Sequence, residues 1–342
     1  MVGQTALRQG DHAQAAASFD RIVAHAEPGE LRLHAMFQSA LAHEAEGDRA
    51  GAAQRFGDIG RSFPESALAP EAWLRCMRLQ LYTDNWQAAG ESARTYLERY
   101  PDAGPRGQIV ANAARALALH AVGQQERAEY VIAKGLAVVD RYGLDRAGRI
   151  PADLAELYFA LGEARRQRAD AAQLDPDTRH FSASLERRCQ LLLDAQSAYS
   201  DSMRAYDAHW STMAGYRVGE LYQRLHAELM VIPAPRAATL RQQRLFEGAM
   251  RLRYTVLLRK ASTMLDHTLA LARRTGEDSE WVRRAEESRS SIARALVDEQ
   301  AALDRLPFSG TDLQRALDDL LARSAGPRID VAPKTSRANP AR

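Results

Sequence analysis

The side chains from which an active site or a metal centre would be drawn are nine histidines, two cysteines and 44 carboxylates. His34 and His43 lie nine residues apart, on different turns of one predicted helix, with Glu44 and Glu46 beside His43. A zinc or similar site needs three or four ligands converging on one point, and nothing supplies a third in register here. No HExxH occurs, and Cys76 and Cys189 are far apart with no CxxC spacing, so they read as small core side chains. The adjacent acids Asp318 and Asp319, and Glu286 and Glu287, sit on predicted helices among arginines, where a solvated, salt-bridged face explains them better than acid–base catalysis. Glycine-rich phosphate loops (GxxxxGK[ST], GxGxxG) and the GxSxG nucleophile elbow do not occur. The aromatic residues of 199–222 fall at helical spacing, which reads as core packing first and as a binding stripe second. No residue stands out as catalytic, cofactor-binding or metal-ligating. The expectation is a protein that is not an enzyme and uses no cofactor.

Composition fits that expectation. The chain has 342 residues, 46% of them hydrophobic, and a mean hydropathy of −0.41. No run approaches the ~18 apolar residues of a membrane helix, so no direct membrane insertion is expected. The net charge of +2 lacks the strong basic excess usual in nucleic-acid binding, so no nucleic-acid partner is expected. The cations are nearly all arginine, Lys134, Lys260 and Lys334 being the only lysines, and acids balance them. Abundant alanine and leucine with sparse glycine and proline predict an all-α protein. Residues 1–10 show no signal peptide.

The elements that would position any site announce themselves as a repeat. Gly10-Asp11-His12-Ala13-Gln14-Ala15 returns as Gly47-Asp48-Arg49-Ala50-Gly51-Ala52, as Asp84-Asn85-Trp86-Gln87-Ala88-Ala89, and more weakly as Gly123-Gln124-Gln125-Glu126-Arg127-Ala128. The spacings are 37, 37 and 39 residues. A helix ends at the Gly, Asp or Asn, residue types that accept the left-handed conformation of a helix stop. The next helix turns a small residue (Ala15, Ala52, Ala89, Ala128) towards the first. Four residues on, the same face carries Phe19, Phe56, Ala93 or Ile132. Pro28, Pro64 and Pro101 close the first three copies.

This pattern resembles the tetratricopeptide repeat family. The third copy has Trp73 in helix A, Trp86 near the start of helix B, Ala89 at the small position and Pro101 at the end. The second has Ala40, Gly47, Ala52, Phe56 and Pro64 at the matching places. The resemblance implies a helical solenoid over residues 1–145, with about four repeats. Only nine residues precede Gly10, so the first repeat is incomplete and a longer natural chain is expected. The family binds peptides along the face lined by its A helices. Mapping the repeat places His34, Phe37, Leu41 and Glu44 of the second copy on that face. Glu71, Leu74, Arg78 and Tyr82 of the third copy and Ala113, Leu117 and His120 of the fourth join them. The partner implied is a protein or peptide, within a possible larger assembly; the alternative is that some of these residues pack on the chain's own second half.

After residue 145 the spacing breaks. A helix is predicted from Asp153 to about Arg168, then a polar loop, Gln173 to Thr178. Ser184 to about Met230 holds no proline and reads as one long helix or two nearly collinear ones, closed by Pro233 and Pro235. Gly215 and Gly219 allow a kink or a close neighbour. Helices follow over Thr239–Arg274 (stopped by Gly276), over Glu280–Leu306 (capped by Asp278 or Ser279), and over Asp312–Arg323, with Thr311 and Gln314 as a capping box. Residues 150–325 thus form a domain of long antiparallel helices, and 326–342 a polar tail read as disordered. Segments of 150–320 also look similar to carboxy-terminal regions of myxobacterial tetratricopeptide proteins, some of which take part in cell-envelope assemblies. The functional expectation is a scaffold or adaptor holding a peptide or helical segment. The alternative is a sensor with an apolar pocket between residues 199–225 and 246–270. The chain alone suggests the cytoplasm; a longer amino terminus carrying a signal would direct it to the periplasm.

Overall fold

The computed structural model describes residues 2–102, 104–146, 150–175, 181–234 and 238–323. Fourteen α-helices and one short 3-10 turn make up the described residues, with no strand among them. The first eight helices pair as read: α1 (Val2–Arg8) with α2 (His12–His25), α3 (Glu30–Glu46) with α4 (Arg49–Ser62), α5 (Ala69–Tyr82) with α6 (Trp86–Arg99), and α7 (Pro105–Ala121) with α8 (Gln125–Tyr142). Each intervening turn has one residue at positive φ: Gly10, Gly47, Asp84 and Gly123. The residue after it caps the next helix, and Asp11, Asp48 and Asn85 accept from the backbone N–H three residues on. The small alanines Ala15, Ala52, Ala89 and Ala128 and the apolar residues four positions later are all buried, Phe56 completely. Burying a side chain of that size stabilises by ~1.5–3 kcal/mol.

The second half continues the stack. A 3-10 turn (Ala152–Leu154) leads into α9 (Ala155–Ala171), followed by α10 (Phe181–Arg204) and α11 (Ala208–Met230). The span read as one long or two collinear helices is a hairpin. The Tyr222 hydroxyl near the middle of α11 donates to Gln196 of α10, and Arg188 near the start of α10 reaches Glu228 near the end of α11. Tyr206 stands at φ +59, and Asp207 caps α11 by accepting from the Trp210 N–H. This is the device of the earlier repeats, with tyrosine in place of glycine. The helix α12 (Leu240–Thr275) starts at Thr239 with a capping box to Gln242 and stops at Gly276 in the left-handed conformation. The helices α13 (Glu280–Asp304) and α14 (Gly310–Arg323) follow. The capping box of α14 is formed by Ser309 and Asp312 rather than Thr311 and Gln314, because Ser309 satisfies the first free N–H groups two residues sooner. The segment Pro176–Thr178, Pro235 and the tail 326–342 lie outside the described residues.

Gly215 and Gly219 of α11 are points of close approach. A Cβ at Gly215 would stand 2.1 Å from Thr268 Oγ1, and one at Gly219 would stand 2.9 Å from the Leu265 side chain. The helices α11 and α12 therefore touch directly there, in the region where the sensor reading requires a pocket. A single apolar cluster runs from Leu33 to Trp281, with smaller clusters in the first repeat and between α12 and α13.

Candidate functional site

The helices α3, α5 and α7 and the turn leading into α9 share an inner face, and a charged ladder crosses it. Arg75 of α5 bonds Glu44 of α3 (2.8 Å) and Glu71 one turn back (3.1 Å). Arg106 of α7 bonds the other oxygen of Glu71 (3.1 Å) and Asp153 (3.1 Å). Arg78 bonds Asp153 (2.6 Å) and Glu156 of α9 (2.9 Å). The order Glu44–Arg75–Glu71–Arg106–Asp153–Arg78–Glu156 alternates in sign across α3, α5, α7, the 3-10 turn and α9. A pocket of about 80 Å³ opens on this ladder, lined by Glu44, Glu71, Arg75, Arg78, Leu79, Tyr82 and Arg106.

The ladder changes character along its length. Glu44, Glu71 and Arg75 are about one-third exposed and Arg106 nearly half, whereas Glu156 is fully buried. Burial pushes the Glu156 carboxyl up to about 7 against the pull of Arg78, and its Oε2 meets no hydrogen-bond donor among the described residues. Asp153 is also partly buried, but bonds from Arg78 and Arg106 hold its carboxyl below the ordinary range. The Tyr82 hydroxyl donates to Asp207 (2.6 Å), and its ring lies against His209 (4.5 Å) and Trp210 (6.2 Å). Burial and the neighbouring carboxylates of Asp207 and Glu156 keep that hydroxyl protonated.

The residues mapped from the repeat divide accordingly. His34 is exposed, and Phe37 and Leu41 are half-buried, Phe37 edge-on to Phe56 at 5.5 Å. With Glu44 and Glu71 they border the open end. Arg78 and Tyr82 are engaged by the chain's own second half. Leu74, Ala113 and Leu117 are buried in the core. His120 bonds Gln125 (2.9 Å) and approaches Glu163 (3.4 Å). Arg75 and Arg106 belong to the site and were missed. Arg75 follows Glu71 by one turn, which is a readable signal. Asp153 and Glu156 left no local signal, because their partners lie 75 and 78 residues away.

Elsewhere the charged residues knit helices together. Buried Glu163 accepts from Tyr199 (2.6 Å), Arg166 (2.9 Å) and Arg217 (2.9 Å), and despite its burial those cations and His120 hold its carboxyl far below the ordinary range. His43 lies between Asp20 (3.3 Å) and Asp48 (3.2 Å), in a cluster that also holds Ser39 and Arg55. Glu287 pairs with Arg283 and Asp318 accepts from Gln314, while the Asp319 side chain lies outside the described residues. Tyr199 and Trp210 are core residues, whereas Tyr206 is 75% exposed. No group of three or more possible metal ligands occurs among the described residues.

The fold and its inner face define a solenoid of paired α-helices with left-handed turns at a period of 37–39 residues. Within it residues 34–66, which cover most of α3 and all of α4, match the tetratricopeptide repeat family. A crystal structure of a tetratricopeptide repeat protein from Parabacteroides merdae ATCC 43184 is similar at 12% identity, covering 84% of this chain and 98% of that one, with a TM-score of 0.34. No curated protein matches the chain in sequence. Repeats of this family generally mediate protein–protein interaction.

Proposed function

We propose that the chain is a non-enzymatic scaffold or adaptor that holds an extended peptide or helical segment of a partner protein along the open end of its inner face, across α3, α5 and the start of α7. The observation that supports this reading is the change along the ladder. Its carboxy-terminal part is covered by α9 and α11, whereas the part from His34 to Arg106 combines part-exposed cations and anions, half-buried Phe37 and Leu41, and the 80 Å³ pocket. Apolar side chains there supply binding area, and alternating charges select the partner's register and orientation. Glu44, Glu71, Arg75 and Arg106 are each part-exposed, so a partner's charged groups can join the ladder without a buried charge being left unpaired.

The test is recovery of partners from the native source by the tagged full chain and by Phe37→Ala plus Arg75→Ala. An exposed change on another face, Arg127→Ala, serves as the control. A partner held by the groove is retained by the wild type and the control and lost by the double variant at unchanged helicity. Recovery of the same partner by all three proteins would refute the groove reading.

A further inference from the structure

Charge is spread unevenly over the second half, and α12 carries the largest excess. Its 36 residues hold eight arginines and lysines against two acids, Glu247 and Asp266, in a chain whose net charge is +2. Asp266 is already bonded to Arg289 of α13, and the partly buried Arg251 of α12 is bonded to Glu299 of α13. The exposed cations Arg259, Lys260, Arg273 and Arg274 form no ion pair among the described residues.

Arg259 and Arg274 fall on one outward strip, whereas the Lys260 ammonium lies over the ring of Tyr222 of α11 (5.7 Å). Leu252, Val256, Arg259, Thr263, His267 and Arg274 follow at steps of three, four and seven residues, which keeps them on one side of the helix, and all are exposed. The strip is ~33 Å long. The opposite side is fixed in place by Gly215 and Gly219 of α11 against Thr268 and Leu265. The helix cannot roll its cations inward. Leu252 and Val256 remain 40% and 46% exposed within the basic strip.

We propose that this face of α12 adsorbs to a bilayer surface rich in anionic phospholipid headgroups. Cations alone would serve any polyanion. A strip that mixes unpaired arginines with aliphatic side chains matches the interface of a bilayer, where headgroup charge and acyl chain lie within a few ångströms of each other. Nucleic acid offers the charge without the apolar layer, and this strip carries no Phe, Tyr or Trp on which bases would stack. The contact is shallow adsorption: no helix among the described residues is long and apolar enough to cross a membrane. The inference does not depend on the groove, which lies on other helices.

The experiment is co-sedimentation of the full chain with vesicles of phosphatidylcholine alone and of phosphatidylcholine mixed with phosphatidylglycerol, at low and high salt. Binding is expected to the mixed vesicles at low salt only. Each cation at an anionic surface changes partitioning roughly fivefold, so Arg259→Glu plus Lys260→Glu plus Arg274→Glu should lower it by ~100-fold or more. A second variant, Leu252→Ser plus Val256→Ser, should weaken binding while keeping its salt dependence. Helicity and thermal midpoint of both variants establish that they fold, and the groove variant Arg75→Ala should bind vesicles like the wild type. Absence of binding at low salt, equal binding to both vesicle types, or full binding by the charge-reversed protein would each overturn the proposal. So would tighter retention on duplex DNA than on mixed vesicles. Self-association abolished by the same charge reversal, without vesicle binding, would identify a second copy as the occupant instead.

Discussion

Two buried glutamates two turns apart on α9 have opposite electrostatic fates, and each gives a measurable consequence. Glu163 is surrounded by Arg166, Arg217, His120 and Tyr199 and stays ionised. Glu163→Ala leaves cations of that cluster uncompensated in the interior, and ~3–5 kcal/mol of stability should be lost in urea unfolding at neutral pH. A loss under ~1 kcal/mol would show that water reaches the cluster. Glu156 has one cationic partner, and burial lifts its carboxyl from 4.5 to about 7. Between those values the folded chain holds a proton that the unfolded chain has released. This group therefore favours folding below pH 4.5, and its contribution declines as pH rises towards 7. The wild type should lose stability relative to Glu156→Gln between pH 5 and pH 8, read from urea midpoints at each pH. A constant difference over that window would contradict the raised carboxyl. Asp20, held at about 2 because its bonds from Arg55, Ser39 and His43 outweigh partial burial, has the reverse sign: its contribution is complete above 3.8 and fades as pH falls through 2.

Among the elements, the turns decide the topology. Gly47 stands at φ +95, so Gly47→Ala places a Cβ in a disfavoured region and should cost ~1–2 kcal/mol. Asp207 serves two elements at once, capping α11 and accepting from Tyr82 of α5. Asp207→Ala and Tyr82→Phe should each destabilise by ~1–2 kcal/mol, and the double variant by less than their sum because they share one bond. Strict additivity in a double-mutant cycle would show that the bond contributes nothing. The glycine turns were readable because a left-handed residue selects Gly, Asp or Asn before any tertiary contact forms. Ala205-Tyr206-Asp207 was not, since nothing local disqualifies alanine or tyrosine from a continuous helix. There the reversal follows from what it allows, namely Trp210 in the core and Asp207 against Tyr82. The inner face was legible on the same terms. Glu71, Arg78 and Tyr82 recur at helical spacing on α5, but which of them stays open depends on the residues that lead into and form α9 and α11, which lie 75 to 125 positions along the chain.

For the molecule as a whole, the question is whether stability is divided along the stack. In an ideal solenoid each repeat touches only its neighbours, and unfolding spreads from the ends. This chain adds ties between distant elements. Trp281 of α13 donates to Asp84 in the turn between α5 and α6 (3.3 Å). Glu277, just after α12, bonds His209 of α11 (2.8 Å) and approaches Arg49 of α4 (3.6 Å). Beneath these ties the apolar cluster from Leu33 to Trp281 is continuous. Loss of α13 contacts is therefore felt in the second and third repeats. The four tryptophans report on this, because Trp73 and Trp86 lie in the early repeats and Trp210 and Trp281 in the second half. Urea unfolding followed by tryptophan fluorescence and by far-ultraviolet circular dichroism should give coincident transitions. Trp281→Ala should shift both together by ~3–5 kcal/mol, and a fragment of residues 1–146 should unfold at lower urea than the same residues in the full chain. Two separated transitions, with the first repeats indifferent to Trp281→Ala, would mean that the distant ties carry no energy and that the solenoid and the long helices are independent units.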